Sequence, residues 1–241
     1  MEPKDRIICA LDVSSTDTAV GLVKTLRGHV GVFKVGLELV TAVGVQVFAR
    51  LRDAGAERMF YDAKLHDIPN TVAGAMRGVT CLGAWCVTVH ASGGSAMLRA
   101  AVEAAEQGAR ASGWPRPQVL AVTALTSIGE TALRDELHVG LSMNAYVGAL
   151  ARLAADAGCD GVIASPHEIA TVRAAVPDPG FLVVTPGVRP AGSSAGDQAR
   201  VMTPRSAVEL GADYLVIGRP ITGAPDPACA ADEIAQEISG R

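Results

Sequence analysis

Two aspartates and a lysine stand close together in residues 61–71, whose sequence is Tyr-Asp-Ala-Lys-Leu-His-Asp-Ile-Pro-Asn-Thr. If this stretch begins as a strand, Asp62 and Lys64 lie two positions apart and project from the same face. Asp67 then falls in the following loop, and Pro69 suits the first turn of a helix. Negative charge beside a lysine favours its ammonium form, which makes Lys64 a better acid than nucleophile. The alternative is a surface salt bridge with Asp67 capping the helix, and the stretch alone is compatible with both.

Segments typical of strands and of helices alternate along the chain, eight of each. The apolar strands end near residues 12, 36, 64, 90, 125, 164, 185 and 217. The helices for which both ends can be predicted are 16–26, 45–54, 69–81, 96–107 and 146–157. Val, Ile and Leu run on without alternation, which indicates strands covered on both faces. Eight such units predict an α/β protein with one (β/α)₈ TIM barrel over residues 1–241. An open doubly wound sheet would more often carry a Gly-rich fingerprint after strand one, where residues 11–14 read Leu-Asp-Val-Ser.

Composition narrows the class of protein. The hydrophobic share of 49% suits a compact enzyme, and a net charge of −4 argues against a general nucleic-acid binder. The five cysteines are scattered without a C-x-x-C motif, which favours a reducing compartment. The charged start lacks a signal region, and no apolar run approaches the roughly 18 residues of a membrane span. We therefore expect a cytoplasmic protein that binds neither membranes nor nucleic acid.

Isolated polar residues follow several of the predicted strands. Asp12 ends strand one, Lys34 lies late in strand two, and Thr126 follows strand five. Singly, Asp12 could be a turn residue and Lys34 a solvated charge. The carboxyl ends of barrel strands form one mouth, however, where the active sites of such barrels lie. Together with Asp62 and Lys64, these residues predict a site there.

Two loops have the composition of an anion-binding site. Arg189 follows strand seven within Pro-Gly-Val-Arg-Pro, and Gly218-Arg219 follows strand eight. Barrels commonly bind phosphate at these loops, where glycine lets the backbone approach and arginine grips in a bidentate way. Residues 191–198, which end at Gln198, are interpreted as a mobile loop. A phosphorylated small substrate is expected.

A metal site is not predicted. His66 and His90 could act with Asp62 or Asp67, but they lack the paired spacing of a zinc helix motif. A protonated Lys64 among them would also repel a cation.

These motifs resemble the orotidine 5′-phosphate decarboxylase family in its bacterial form, over nearly the whole chain. The signature D-x-K-x-x-D-I-P-x-T is specific for that family when a lysine stands on strand two. The resemblance rests on Ala-Leu-Asp (10–12), Phe-Lys-Val-Gly (33–36), residues 62–71, Val-His-Ala (89–91), Leu-Thr-Ser (125–127), Thr-Pro-Gly-Val-Arg (185–189), Asp-Gln (197–198) and Gly-Arg-Pro-Ile-Thr (218–222). Ala63 departs from the bulkier apolar residues frequent there, and we expect this to alter packing rather than chemistry.

The resemblance implies cofactor-free decarboxylation of orotidine monophosphate to uridine monophosphate. It implies that Lys64 donates a proton to C6 and that Asp62 lies against the departing carboxylate. It also implies a homodimer in which Asp67 and Thr71 reach the partner's site. The implied binding residues are Asp12 and Lys34 with Asp67 and Thr71 of the partner subunit for the ribose, Thr126 for the pyrimidine, Gln198 for pyrimidine and phosphate, and Arg189, Gly218 and Arg219 for the phosphate.

Three alternative functions are compared with this one. Magnesium-dependent hexulose-phosphate synthases and ketogulonate-phosphate decarboxylases share D-x-K-x-x-D but bear an acid on strand two, where this chain has Lys34. A Schiff-base aldolase would need Lys64 neutral, which flanking carboxylates oppose. A nucleotide-binding protein without turnover would not need the triad of Asp62, Lys64 and Asp67.

Overall fold

Eight parallel strands close into a barrel in chain order, with β1 paired to both β2 and β8. The structure is a computed structural model that describes residues 1–190 and 202–240. Its strands are β1 (Ile7–Ala10), β2 (Val32–Val35), β3 (Met59–Leu65), β4 (Cys86–His90), β5 (Gln118–Val122), β6 (Gly161–Ile163), β7 (Leu182–Pro186) and β8 (Tyr214–Ile217). The predicted (β/α)₈ TIM barrel is thereby confirmed.

Helices surround the barrel and, in the described residues, outnumber the strands. They are α1 (Thr16–Leu26), α2 (Leu37–Val43), α3 (Val47–Asp53), α4 (Pro69–Thr80), α5 (Gly94–Ser112), α6 (Glu130–Asp135), α7 (Met143–Asp156), α8 (Ile169–Ala175), α9 (Pro204–Glu209), α10 (Arg219–Thr222) and α11 (Pro227–Ser239). The prediction of eight helices was wrong. The predicted helix 45–54 is preceded by a separate helix, α2, which ends where Gly44 takes a φ of +81°. The connection after β5 and the one after β8 each add a short helix.

The barrel interior contains an apolar cluster. Ile8, Val32, Phe60, Cys86, Leu120, Val184 and Tyr214 form one buried cluster inside the strands. At the amino ends of the strands, Arg58 lies 4.1 Å from the ring of Trp85 and donates a hydrogen bond to the Tyr214 hydroxyl at 3.0 Å. A second, larger core packs the helices against the strands. The described residues include no helix that is both long and apolar enough to cross a membrane.

Glu168 is an acidic side chain in the protein interior, 9% exposed. Its carboxylate accepts a hydrogen bond from the Ser165 amide at 3.0 Å and completes a capping box before α8. Burial raises the pKa of this carboxyl above its ordinary value, although the Ser165 hydrogen bond acts in the opposite direction. The folded protein therefore retains this proton to higher pH than the unfolded chain does, and stability falls as pH rises through that interval.

We expect Glu168→Gln to gain stability relative to wild type as pH rises from about 4 to about 7. The glutamine amide oxygen can still accept the Ser165 hydrogen bond but carries no charge. Urea unfolding of both proteins across this range measures the difference in the free energy of unfolding. A difference that does not change with pH would contradict the expectation.

Candidate active site

The carboxyl end of β3, which contains Asp62 and Lys64, departs from regular strand geometry. Tyr61 pairs with Val87 and Leu65 with Val89, so the chain advances four residues along β3 while it advances two along β4. Within this bulge Lys64 has a φ of +48°, a left-handed conformation that costs a non-glycine residue about 1–2 kcal/mol. Asp62 and Lys64 nevertheless meet, with Oδ2 and Nζ 2.5 Å apart. The bulge, not plain strand alternation, sets the geometry of this pair.

Two lysines and two aspartates form a chain of alternating charge. Lys34 Nζ lies 2.9 Å from Asp12 Oδ1 and 3.8 Å from Asp62 Oδ2, and Asp62 in turn pairs with Lys64. Lys34 is buried, and a buried ammonium needs such carboxylate partners. A side chain at Gly36 would place its Cβ 3.0 Å from Lys34 Nζ. Glycine at this position therefore leaves room for the ion pair.

These charges line a cavity of about 330 Å³ at the carboxyl ends of the strands. Eight of the predicted site residues contribute to it: Asp12, Lys34, Asp62, Lys64, Thr126, Arg189, Gly218 and Arg219. Its apolar wall includes Val122, Ile163 and Val216, which the sequence analysis did not single out. The cavity thus combines apolar side chains with a small number of charged ones, as small-molecule sites commonly do.

The loops after β7 and β8 place two arginines at this cavity. Gly187 turns the chain at the end of β7 with a φ of +80°. Beyond it, the Arg189 amide donates to the Met202 carbonyl at 3.1 Å. Arg219 begins α10 directly after Gly218. The predicted loop 191–198, with Gln198, lies outside the described residues.

Asp67 and Thr71 do not line the cavity of their own chain. The Asp67 carboxylate is exposed and accepts a hydrogen bond from the Ile68 amide at 2.6 Å. Within residues 1–190 and 202–240, no ion pair joins it to Lys64. The helix-cap alternative was wrong, because Ile68 is the N-cap of α4 and no side chain caps it.

Comparison with known proteins identifies the family. Residues 5–234 match the family model described as orotidine 5′-phosphate decarboxylase / HUMPS family. The chain belongs to this family. Orotidine 5′-phosphate decarboxylase of Moorella thermoacetica is 52% identical over 238 residues, covering 99% of this chain and 94% of the relative. The Anaeromyxobacter sp. enzyme of the same name is 50% identical over 238 residues, covering 98% and 99%. This chain is accordingly a decarboxylase.

A solved structure in the orotidine 5′-phosphate decarboxylase / HUMPS family has the same architecture. The crystal structure of orotidine 5′-phosphate decarboxylase from Lactobacillus acidophilus superposes with a TM-score of 0.83 at 38% identity. It covers 96% of this chain and 98% of that one. The barrel therefore has an experimental counterpart in the family.

Two histidine side chains near the family signature lie close to each other. The His66 and His90 rings lie 5.2 Å apart. Burial lowers the pKa of His90, and the proximity of His66 and of the Lys64 amine acts in the same direction. Among the described side chains, no group of three His, Cys, Asp or Glu is arranged to hold a metal ion.

Cys9, in β1, is not an activated nucleophile. Burial, reinforced by the charge of Asp12, raises the pKa of its thiol to about 12. The thiol therefore keeps its proton at neutral pH.

Proposed function

We propose that the protein converts orotidine 5′-monophosphate to uridine 5′-monophosphate and carbon dioxide without a cofactor, the last step of pyrimidine nucleotide synthesis. The observation that carries the proposal is the ion-paired chain Asp12, Lys34, Asp62, Lys64 in a cavity that also contains Arg189 and Arg219. A charged amine and two arginines in one pocket suit a nucleoside monophosphate, since arginine binds phosphate through bidentate, charge-assisted hydrogen bonds.

The chemistry assigned to this pocket is carbanion formation followed by protonation. The bond from C6 to the carboxylate breaks, carbon dioxide leaves, and the electron pair stays on C6 in the plane of the ring. Lys64 then gives its proton to C6 and regains one from solvent. With no cofactor to delocalise the charge, a preorganised cation beside C6 supplies the stabilisation. Asp62 holds that cation and faces the substrate carboxylate.

The remaining residues position the nucleotide. We assign Thr126 to the pyrimidine, and Asp12 and Lys34 to the ribose. Arg189, Gly218 and Arg219 hold the phosphate, with Gln198 bridging phosphate and pyrimidine. The most proficient enzymes lower barriers by roughly 23 kcal/mol, more than one charge contact supplies. Phosphate binding, remote from C6, contributes binding energy that is realised in the transition state.

The working unit in this proposal is a homodimer. Asp67 and Thr71 are exposed and lie outside their own cavity, as expected if they complete the ribose site of the partner subunit. Ile68, next to Asp67, exposes 67% of an apolar side chain, which suits a surface covered by another subunit. We further propose that residues 1–241 act as one catalytic domain in the cytoplasm.

The magnesium-dependent alternative conflicts with the position of Lys34. Its ammonium lies between the carboxylates of Asp12 and Asp62, at 2.9 and 3.8 Å, where a divalent ion would need those oxygens. A cation already in that position repels a second one.

The direct test follows orotidine monophosphate by its ultraviolet absorbance after the protein has been stripped with a chelator. We expect full turnover without added metal. Activity that appears only when magnesium is added would contradict the cofactor-independent mechanism and favour the alternative. Absence of turnover under both conditions would contradict the proposed substrate.

A further inference from the structure

Thr88 connects β4 to both catalytic candidates on β3. It is fully buried in the barrel interior. Its Oγ1 accepts a hydrogen bond from the Lys64 amide at 2.9 Å and donates one to Asp62 Oδ1, also at 2.9 Å. The donor roles are fixed, because the amide can only donate and the hydroxyl proton is then available to the carboxylate.

The two hydrogen bonds act at the strained part of the bulge. Lys64 has its left-handed φ at the residue whose amide Thr88 binds. In this bulge β3 advances four residues against two in β4, so the regular ladder is interrupted and a side-chain acceptor satisfies the amide. Strained backbone conformations persist where surrounding contacts hold them. Thr88 supplies such a contact from the neighbouring strand.

The hydroxyl also fixes the orientation of the Asp62 carboxylate. Oδ1 accepts from Thr88, which leaves Oδ2 facing Lys64 at 2.5 Å and Lys34 at 3.8 Å. Without the hydroxyl, the carboxylate would be free to rotate to positions in which neither oxygen faces both lysines. One hydroxyl thus ties together the backbone of Lys64 and the side chain that orients its ammonium.

We propose that Thr88 is a positioning residue for the reaction, which holds Lys64 and Asp62 in the reactive arrangement without contacting the substrate. The inference rests on the proposed decarboxylation. Because a displacement of about 1 Å can cost about 100-fold in rate, Thr88→Val is expected to lower kcat between about tenfold and 100-fold. The affinity for uridine monophosphate and KM should change much less than kcat, because Arg189 and Arg219 are not altered and Lys34 keeps its closer partner, Asp12, at 2.9 Å.

Two further variants separate positioning from general stability. Thr88→Ser keeps the hydroxyl and should retain most of the wild-type kcat. Thr80→Val removes another fully buried hydroxyl, bonded within α4 to the Met76 carbonyl at 2.9 Å, and should lower the melting temperature without lowering kcat. Equal loss of kcat and nucleotide affinity in Thr88→Val, or no rescue by serine, would overturn the proposal.

A readout independent of turnover is available because the chain has only four lysines, at positions 4, 24, 34 and 64. Selective ¹⁵N-lysine labelling gives four backbone amide signals, and the Lys64 signal is assigned by its loss in Lys64→Ala. Hydrogen exchange at Lys64 should be faster in Thr88→Val than in wild type or Thr88→Ser; unchanged exchange would overturn the inference. If wild type fails to consume orotidine monophosphate, the proposed function falls, while the exchange measurement still tests whether Thr88 holds the backbone of Lys64.

Discussion

Replacing Lys64 by alanine is expected to lower kcat for orotidine monophosphate by about 10⁴-fold, the upper end of what a positioned general acid contributes. The substitution removes both the proton donor and the cation paired with Asp62 at 2.5 Å. Uridine monophosphate should still bind, because Arg189 and Arg219 remain in the cavity. Steady-state kinetics and calorimetric titration with uridine monophosphate measure the two quantities separately.

Lys24→Ala is the matched control for this experiment, since Lys24 is exposed on α1 and lies outside the cavity. It should leave kcat and nucleotide affinity at wild-type values. Arg219→Ala tests binding rather than proton transfer. It removes a side chain assigned to the phosphate and should weaken uridine monophosphate binding markedly. Appreciable turnover by Lys64→Ala would contradict the assignment of Lys64 as proton donor, whatever its effect on binding.

The fold was predictable because its signals are local. Buried parallel strands are mostly apolar, so β1 and β4 could be located from their runs of apolar residues. Eight such strands with intervening helices left few possible architectures. The separate α2 and the short α6 and α10 were not predicted, since each is only four to seven residues long and its pattern is brief. Gly44, which ends α2, was the available signal.

The site was predictable as a set of charges but not as a geometry. Polar residues at strand ends identified Asp12, Lys34, Asp62 and Lys64, because the barrel brings those ends to one mouth. The left-handed backbone of Lys64 could not be predicted, since it depends on the register between β3 and β4, which is a nonlocal property.

Thr88 was missed for a related reason. In the sequence it is one residue within an apolar strand, and only the three-dimensional pairing brings its hydroxyl to Lys64 and Asp62. A hydroxyl in the middle of a strand that is otherwise buried and apolar was the one signal that could have drawn attention to it, because a buried hydroxyl needs a partner.

Mixing two inactive variants is expected to restore activity if Asp67 acts across the dimer. Asp67→Ala alone should lose about 1,000-fold in kcat, comparable to the loss of a charge contact in a preorganised site. Lys64→Ala is inactive for a different reason. In a heterodimer of the two, one site combines native Lys64 with native Asp67 and the other has neither. Random exchange at equal concentrations gives such heterodimers in half of all dimers, so about one quarter of all sites should be native.

The measurement is kcat per site after incubation of the two variants together, with subunit exchange followed independently by mass spectrometry of a labelled protein. Asp53→Ala, an exposed carboxylate at the end of α3, serves as the matched control and should be active without mixing. Full exchange without recovered turnover would contradict sharing of Asp67 between subunits. It would then require Asp67 to act within its own chain, and its carboxylate, which bonds there to the adjacent Ile68 amide, would have to move to reach Lys64.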